Sequence, residues 1–168
     1  KIFAFKVEEP ITAFEMAGDR LYAAADKSIR ILNREGAEDH RFATAAIVRD
    51  VVSVGDELYV LHPTMIGVYT LAGATVRSWE ACSPESDYCS MAIVGDEIFV
   101  TDASNKNICQ YNRVGAFRRF IDSPNGFIVP SYSFGITTVG DKVYCSNPGR
   151  HIVECYDMQG KFVASFGK

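Results

Sequence analysis

The chain has 168 residues, 48% of them hydrophobic and 23% charged, ordinary values for a globular domain that exclude a disordered chain. A formal net charge of −4 and a pI near 5.4 exclude a broadly basic nucleic-acid footprint. No run of about 18 apolar residues is present to span a membrane as a helix.

The sequence begins at Lys1 rather than Met, as expected after removal of a signal peptide or at a boundary within a longer polypeptide. Lys1–Val7 reads as a short strand rich in aromatic and branched residues, ended by Glu8-Glu9-Pro10. From Ile11 onward the chain repeats itself. Gly-Asp, one residue, an aliphatic residue and an aromatic recur at Gly18–Tyr22, Gly55–Tyr59, Gly95–Phe99 and Gly140–Tyr144. The spacings of 37, 40 and 45 residues are in the range of propeller blades and solenoid turns.

Aligned on that turn, each repeat has four strands. Strand a precedes it: Ile11–Ala17, Val48–Val54, Tyr88–Val94 and Ser133–Val139. Strand b follows: Arg20–Ala24, Glu57–Leu61, Glu97–Thr101 and Lys142–Ser146. Strand c carries Ile29–Leu32, Ile66–Tyr69, Asn107–Tyr111 and Ile152–Tyr156, and a second glycine recurs at Gly36, Gly73, Gly115 and Gly160. Strand d closes the unit at His40–Ala43, Thr75–Trp79, Ala116–Ile121 and Lys161–Phe166. The first glycine suits a tight hairpin that needs positive φ, the second a three-residue hairpin with a left-handed position. Short connections and the lack of any helical period predict an all-β fold, a β-propeller of four-stranded antiparallel blades with four repeats present. The expected organisation is one propeller domain over 1–168, with blades about 11–43, 48–79, 88–121 and 133–167.

The third repeat, Ile98-Phe-Val-Thr-Asp-Ala-Ser-Asn-Lys-Asn-Ile-Cys-Gln-Tyr-Asn-Arg-Val-Gly115, resembles the NHL repeat. That pattern is an aliphatic-aromatic strand, Ala/Thr-Asp, a turn with Asn, Arg/Asn-Ile-x-x-Phe/Tyr and a closing glycine. The other copies depart from it, with Asn147, His62 and Ala25 at the place of Asp102. The resemblance implies a six-bladed propeller, usually a protein-binding platform and sometimes an enzyme scaffold, and carries no catalytic residue. Lys1–Val7 resembles a strand d without its own a, b and c, so the chain reads as part of a six-bladed ring, with a closed four-bladed ring as the alternative. An incomplete ring exposes apolar blade faces and invites association through them.

In such a fold the d–a and b–c connections gather on the ligand-binding face. The longest d–a connection is Asp122–Tyr132, a length that often marks function. Phe127 and Tyr132 are its candidate partner anchors; the competing reading folds the loop back and buries Phe127, Ile128 and Val129. His62, Asp102 and Asn147 share one repeat position in the b–c connections, a candidate Ca²⁺ or Zn²⁺ ligand set or, alternatively, residues that bond their own turns. Arg49-Asp50 and Asp87-Tyr88 stand where strand a begins and are candidates for a polar channel wall. Arg150-His151 is a candidate anion contact.

Five cysteines leave at least one unpaired. Cys82 and Cys89 flank a six-residue loop suited to a local disulfide, which requires a periplasmic or exterior compartment, the localisation expected here. Cys109, Cys145 and Cys155 read as small core residues. No Gly-x-Ser-x-Gly, His-x-x-x-His, CxxC or phosphate loop is present. The function expected is therefore non-catalytic: a binding or scaffold propeller taking a protein, peptide or glycan, with no nucleic acid and no cofactor. The alternative is a metal-dependent hydrolase or lyase.

Overall fold

The computed structural model describes residues 9–130 and 134–167. The candidate strand Lys1–Val7 and Tyr132 lie outside them. Among the described residues sixteen strands form four sheets, each a four-stranded antiparallel meander in chain order. The first sheet is β1 (Ala13–Ala17), β2 (Arg20–Ala25), β3 (Ser28–Leu32) and β4 (Glu38–Ala43). The second is β5 (Asp50–Val54), β6 (Glu57–His62), β7 (Met65–Thr70) and β8 (Thr75–Glu80). The third is β9 (Tyr88–Val94), β10 (Glu97–Asp102), β11 (Asn107–Asn112) and β12 (Phe117–Ile121). The fourth is β13 (Ile136–Val139), β14 (Lys142–Asn147), β15 (Ile152–Asp157) and β16 (Phe162–Gly167). These are the four blades that the repeat predicts. No helix among the described residues is long and apolar enough to cross a membrane.

The a–b glycines, Gly18, Gly55, Gly95 and Gly140, have φ of 62°, 60°, 59° and 59°. That is the first central position of a two-residue hairpin loop, where only glycine avoids a Cβ penalty. The c–d turns are closed by a polar side chain three residues before the second glycine. Asn33 Oδ1 accepts from the backbone of Glu35 and Ala37, Thr70 Oγ1 from Ala74, Asn112 Oδ1 from Ala116, and Asp157 Oδ1 from Gln159 and Lys161. The second glycine has a tertiary role too. A Cβ on Gly73 would stand 2.5 Å from the Phe42 ring, and one on Gly160 2.5 Å from Ile121 Cγ1. The turn of one blade thus presses on strand d of the blade before it.

The chain divides into two compact units, the first ending at Trp79 and the second beginning at Glu80. In the first unit, Tyr22, Ile29, Ile31, Phe42, Val51, Leu58, Val60 and Tyr69 form one apolar cluster. The Phe42 and Tyr69 rings lie 5.3 Å apart, and Glu15 reaches the next blade to accept from Ser53 N and Oγ, at 3.0 and 2.6 Å. In the second unit, Phe99, Ile108, Ile121, Phe127, Phe134, Val143, Cys145 and Tyr156 pack together. Thr101 Oγ1 donates to Phe134 O at 2.6 Å, and Gln110 Nε2 to Met158 O at 3.2 Å. Each fully buried large apolar side chain contributes about 2 kcal/mol, so both blade pairs are held mainly by these clusters. Strands b and c are buried on both faces, and their sequences accordingly lose polar alternation.

Candidate functional site

His62, Asp102 and Asn147 are the last residues of their b strands, each paired with the first residue of strand c: Met65, Asn107 and Ile152. The sequence reading ends strand b one residue early and leaves these side chains in loops. In the structure all three are fully buried, and each fastens the incoming d–a segment of its own blade. His62 Nδ1 lies 3.0 Å from Ile47 O, which requires that nitrogen to be the donor. Burial holds the His62 pKa below the ordinary 6.5, with the carbonyls of Ile47 and Ala46 opposing that shift.

Asp102 Oδ1 accepts from the backbone N–H groups of Asp87, Ser104 and Asn105, each at 3.1 Å, while Oδ2 accepts from Asn105 Nδ2 at 2.9 Å. Asn147 Oδ1 accepts from Ile128 N at 3.0 Å, and its Nδ2 donates to Gly126 O and Glu154 Oε1. Burial demands these bonds, because an unpaired polar group in the interior costs about 1–3 kcal/mol. Among the described residues no cluster of three His, Cys, Asp or Glu is placed to hold a metal ion.

The long d–a loop of the second unit is built on a buried polar network. Glu154, fully buried on β15, accepts from Ser123 Oγ at 2.8 Å and Asn147 Nδ2 at 3.0 Å on one oxygen, and from Tyr156 OH at 2.5 Å on the other. Burial first, then the bond to Glu154, raises the Tyr156 pKa well above its ordinary value. Phe127 is 4% exposed, its ring 4.9 Å from that of Phe134. It is a core residue and not an accessible anchor: the aromatic ring gains more by joining the blade core than by facing water.

What the loop presents instead is Ile128, 46% exposed, flanked by exposed Asn125, Gly126 and Pro130. Ile128 O accepts from Gly149 N at 2.8 Å. A Cβ on Gly149 would meet Ile128 Cγ2 at 2.2 Å, so the crest seats directly on the b–c turn. Arg150 Nε donates to Gly126 O at 2.9 Å and its Nη2 to Asn125 O. His151 beside it is exposed, with φ of 57° at the end of the short Pro148–Arg150 turn. Arg150 and His151 therefore sit at the rim of the exposed crest.

The remaining candidates are placed differently. Arg49 and Asp50 are half-buried where β5 begins; Arg49 N donates to Leu61 O at 2.8 Å, and Asp50 Oδ1 accepts from Val51 N at 2.9 Å. Asp87 joins the Asp102 clamp, and its carbonyl accepts from Ala103 N at 2.9 Å. Tyr88 is not a channel-wall residue open to ligand. It is 1% exposed, with its hydroxyl 2.5 Å from that of Tyr111, and burial drives the pKa of both phenols well up.

The cysteine pairing also differs from expectation. No disulfide forms among the five cysteines, and Cys82 faces Cys109, Sγ to Sγ 3.1 Å, rather than Cys89. Tyr88 turns its hydroxyl to the Cys82 backbone N–H at 3.2 Å. Cys89 is the extra residue of a β-bulge, between Tyr88 paired with Asp102 and Ser90 paired with Thr101, and its Sγ lies 3.6 Å from Asp87 O.

Sequence reading misses Ile128, Glu154 and the Cys82–Cys109 pairing. Glu154 does carry a signal, a lone acid inside the otherwise apolar Ile152–Tyr156 strand.

No known protein family and no curated protein matches the sequence. Solved structures do match in fold. The WD40 domain of Neurospora crassa Pan2 superposes with a TM-score of 0.76 at 12% identity, covering 95% of this chain and 50% of that one. A streptogramin B lyase gives 0.79 at 14% identity, covering 98% and 57%, and the RRP9 WD40 repeats give 0.75 at 10%, covering 97% and 52%. The chain has a β-propeller fold, and it spans about half the length of these structures.

Proposed function

We propose that the chain is a non-catalytic propeller that binds a protein or peptide through the loops of its second unit. The observation that carries this reading is the exposed Ile128 on a loop otherwise fastened in place. An apolar side chain there, with Arg150 and His151 beside it, has the composition of an interface centre and its polar rim. The hydrogen bonds from Asn147, Gly149 and Arg150 fix the crest before binding, which lowers the ordering cost on association. Two WD40 domains among the structural neighbours agree with a scaffold role. The NHL-like third repeat fits the same role, and its Asp residue, Asp102, serves the loop-fastening function such a repeat needs.

The test is affinity capture with the tagged chain, comparing wild type with Ile128→Ala and Arg150→Ala. Both variants are expected to melt like wild type while losing at least one captured polypeptide about tenfold or more. Capture that is the same for all three proteins would exclude this crest as the binding surface.

A further inference from the structure

One position of strand c is used in three blades to fasten the segment that leads into strand a. In the first blade it is Arg30, whose Nη2 pairs with Glu9 Oε2 at 3.0 Å. In the fourth it is Glu154, which accepts from Ser123. In the third it is Cys109, and its partner is Cys82. The registers confirm the equivalence, Arg30 facing Ala23, Cys109 facing Val100 and Glu154 facing Cys145 across strand b. The third blade thus places two thiols where the others place an ion pair or a hydrogen bond, and only two thiols can convert that contact into a covalent one.

We propose that Cys82 and Cys109 are a redox-active pair whose disulfide locks the 81–87 loop to β11. Their sulfurs are 3.1 Å apart, so a bond of about 2.05 Å needs an approach of about 1 Å. The loop backbone is already held at both ends, by Cys82 N–H on Tyr88 OH and by Asp87 N–H on Asp102. Cys109 is fully buried, and burial followed by the Cys82 contact keeps its proton on. Cys82 is partly exposed where Cys109 is buried, so an oxidant meets the pair from the Cys82 side.

With a low-molecular-weight disulfide RSSR as oxidant, Cys82 thiolate attacks one sulfur. This forms Cys82–S–S–R and releases RS⁻, which leaves as RSH with the proton Cys82 gave up. Cys109 sulfur then attacks the Cys82 sulfur, the second RS⁻ departs, and it takes the Cys109 proton. One RSSR is reduced to two RSH while two thiols become one disulfide.

The experiment incubates the folded full chain with oxidised glutathione, blocks remaining thiols, and maps cross-linked peptides by mass spectrometry. A Cys82–Cys109 cross-link is expected, with the denatured thiol count falling from five by two and the melting temperature rising by roughly 5 °C. Cys82→Ser abolishes the loss of thiols, whereas Cys89→Ser leaves it intact. A Cys82–Cys89 cross-link, a stable glutathione adduct on Cys82 with Cys109 still reduced, or an unchanged thiol count would each overturn the proposal.

Discussion

The two units run the same repeat to different ends, and the residue closing strand b shows why. In the first unit His62 bonds Ile47 O, with the Ala46 carbonyl beside it, and the segment it holds is short. In the second, Asp102 gathers three backbone donors and one side chain, and Asn147 bonds two backbone groups and Glu154. At Asp102 the bond from Asp87 N reaches the d–a segment and the others close its own b–c turn. At Asn147, under the longest d–a segment, both backbone bonds reach into that segment. The second unit is therefore where the fold invests polar residues in surface loops, and where the exposed crest and the thiol pair are found. Equivalent repeat positions share geometry without sharing chemistry.

Four substitutions break or sharpen this contrast. Asp102→Ala should cost the most, about 3 kcal/mol, because it takes the partner from three backbone N–H groups at once; urea unfolding measures it, and a loss under about 1 kcal/mol would mean that the clamp is dispensable. Gly149→Ala comes next, at about 2 kcal/mol, by driving a methyl group into Ile128. It should also abolish capture through the crest, and unaltered capture would show that the crest need not sit on this turn.

His62 gives the first unit a pH dependence that the Asn147 clamp lacks. Its pKa is depressed by burial on folding, so the unfolded chain binds the proton more readily. The stability it supports is present above pH 6.5, the ordinary histidine value, and is lost as pH falls through that value toward the folded one. His62→Gln should flatten this part of the stability curve, and an unchanged slope between pH 7 and 5 would place its origin elsewhere. Ile128→Ala is the mildest, within about 0.5 kcal/mol in stability, because about half of its surface already faces water. A large loss of stability would mean that Ile128 is a packing residue of the loop.

Much of the fold was legible in the chain. The Gly-Asp turns at Gly18, Gly55, Gly95 and Gly140 demand positive φ, a local requirement that glycine announces in any context. The apolar b and c strands announce burial on both faces in the same way. The candidate site was less legible. His62, Asp102 and Asn147 were identifiable as a set, but whether they face a channel or their own loops depends on where strand b stops, and that is decided by pairing with strand c. Tyr88 read as a channel-wall residue and Phe127 as either a partner anchor or a ring buried by the loop, and both are core, since an aromatic ring carries the same sequence signal in either setting.

By itself, then, the sequence determined the blades, their turns and their repeat positions, because hairpins and strand burial follow from nearest neighbours along the chain. Only the tertiary structure decided which residues meet across a loop: Ile128 on the surface and Phe127 beneath it, Glu154 under Ser123, Cys82 against Cys109. Those contacts join residues about 20 to 30 positions apart, and their geometry is set by how the loop closes over the sheet, which no local pattern encodes.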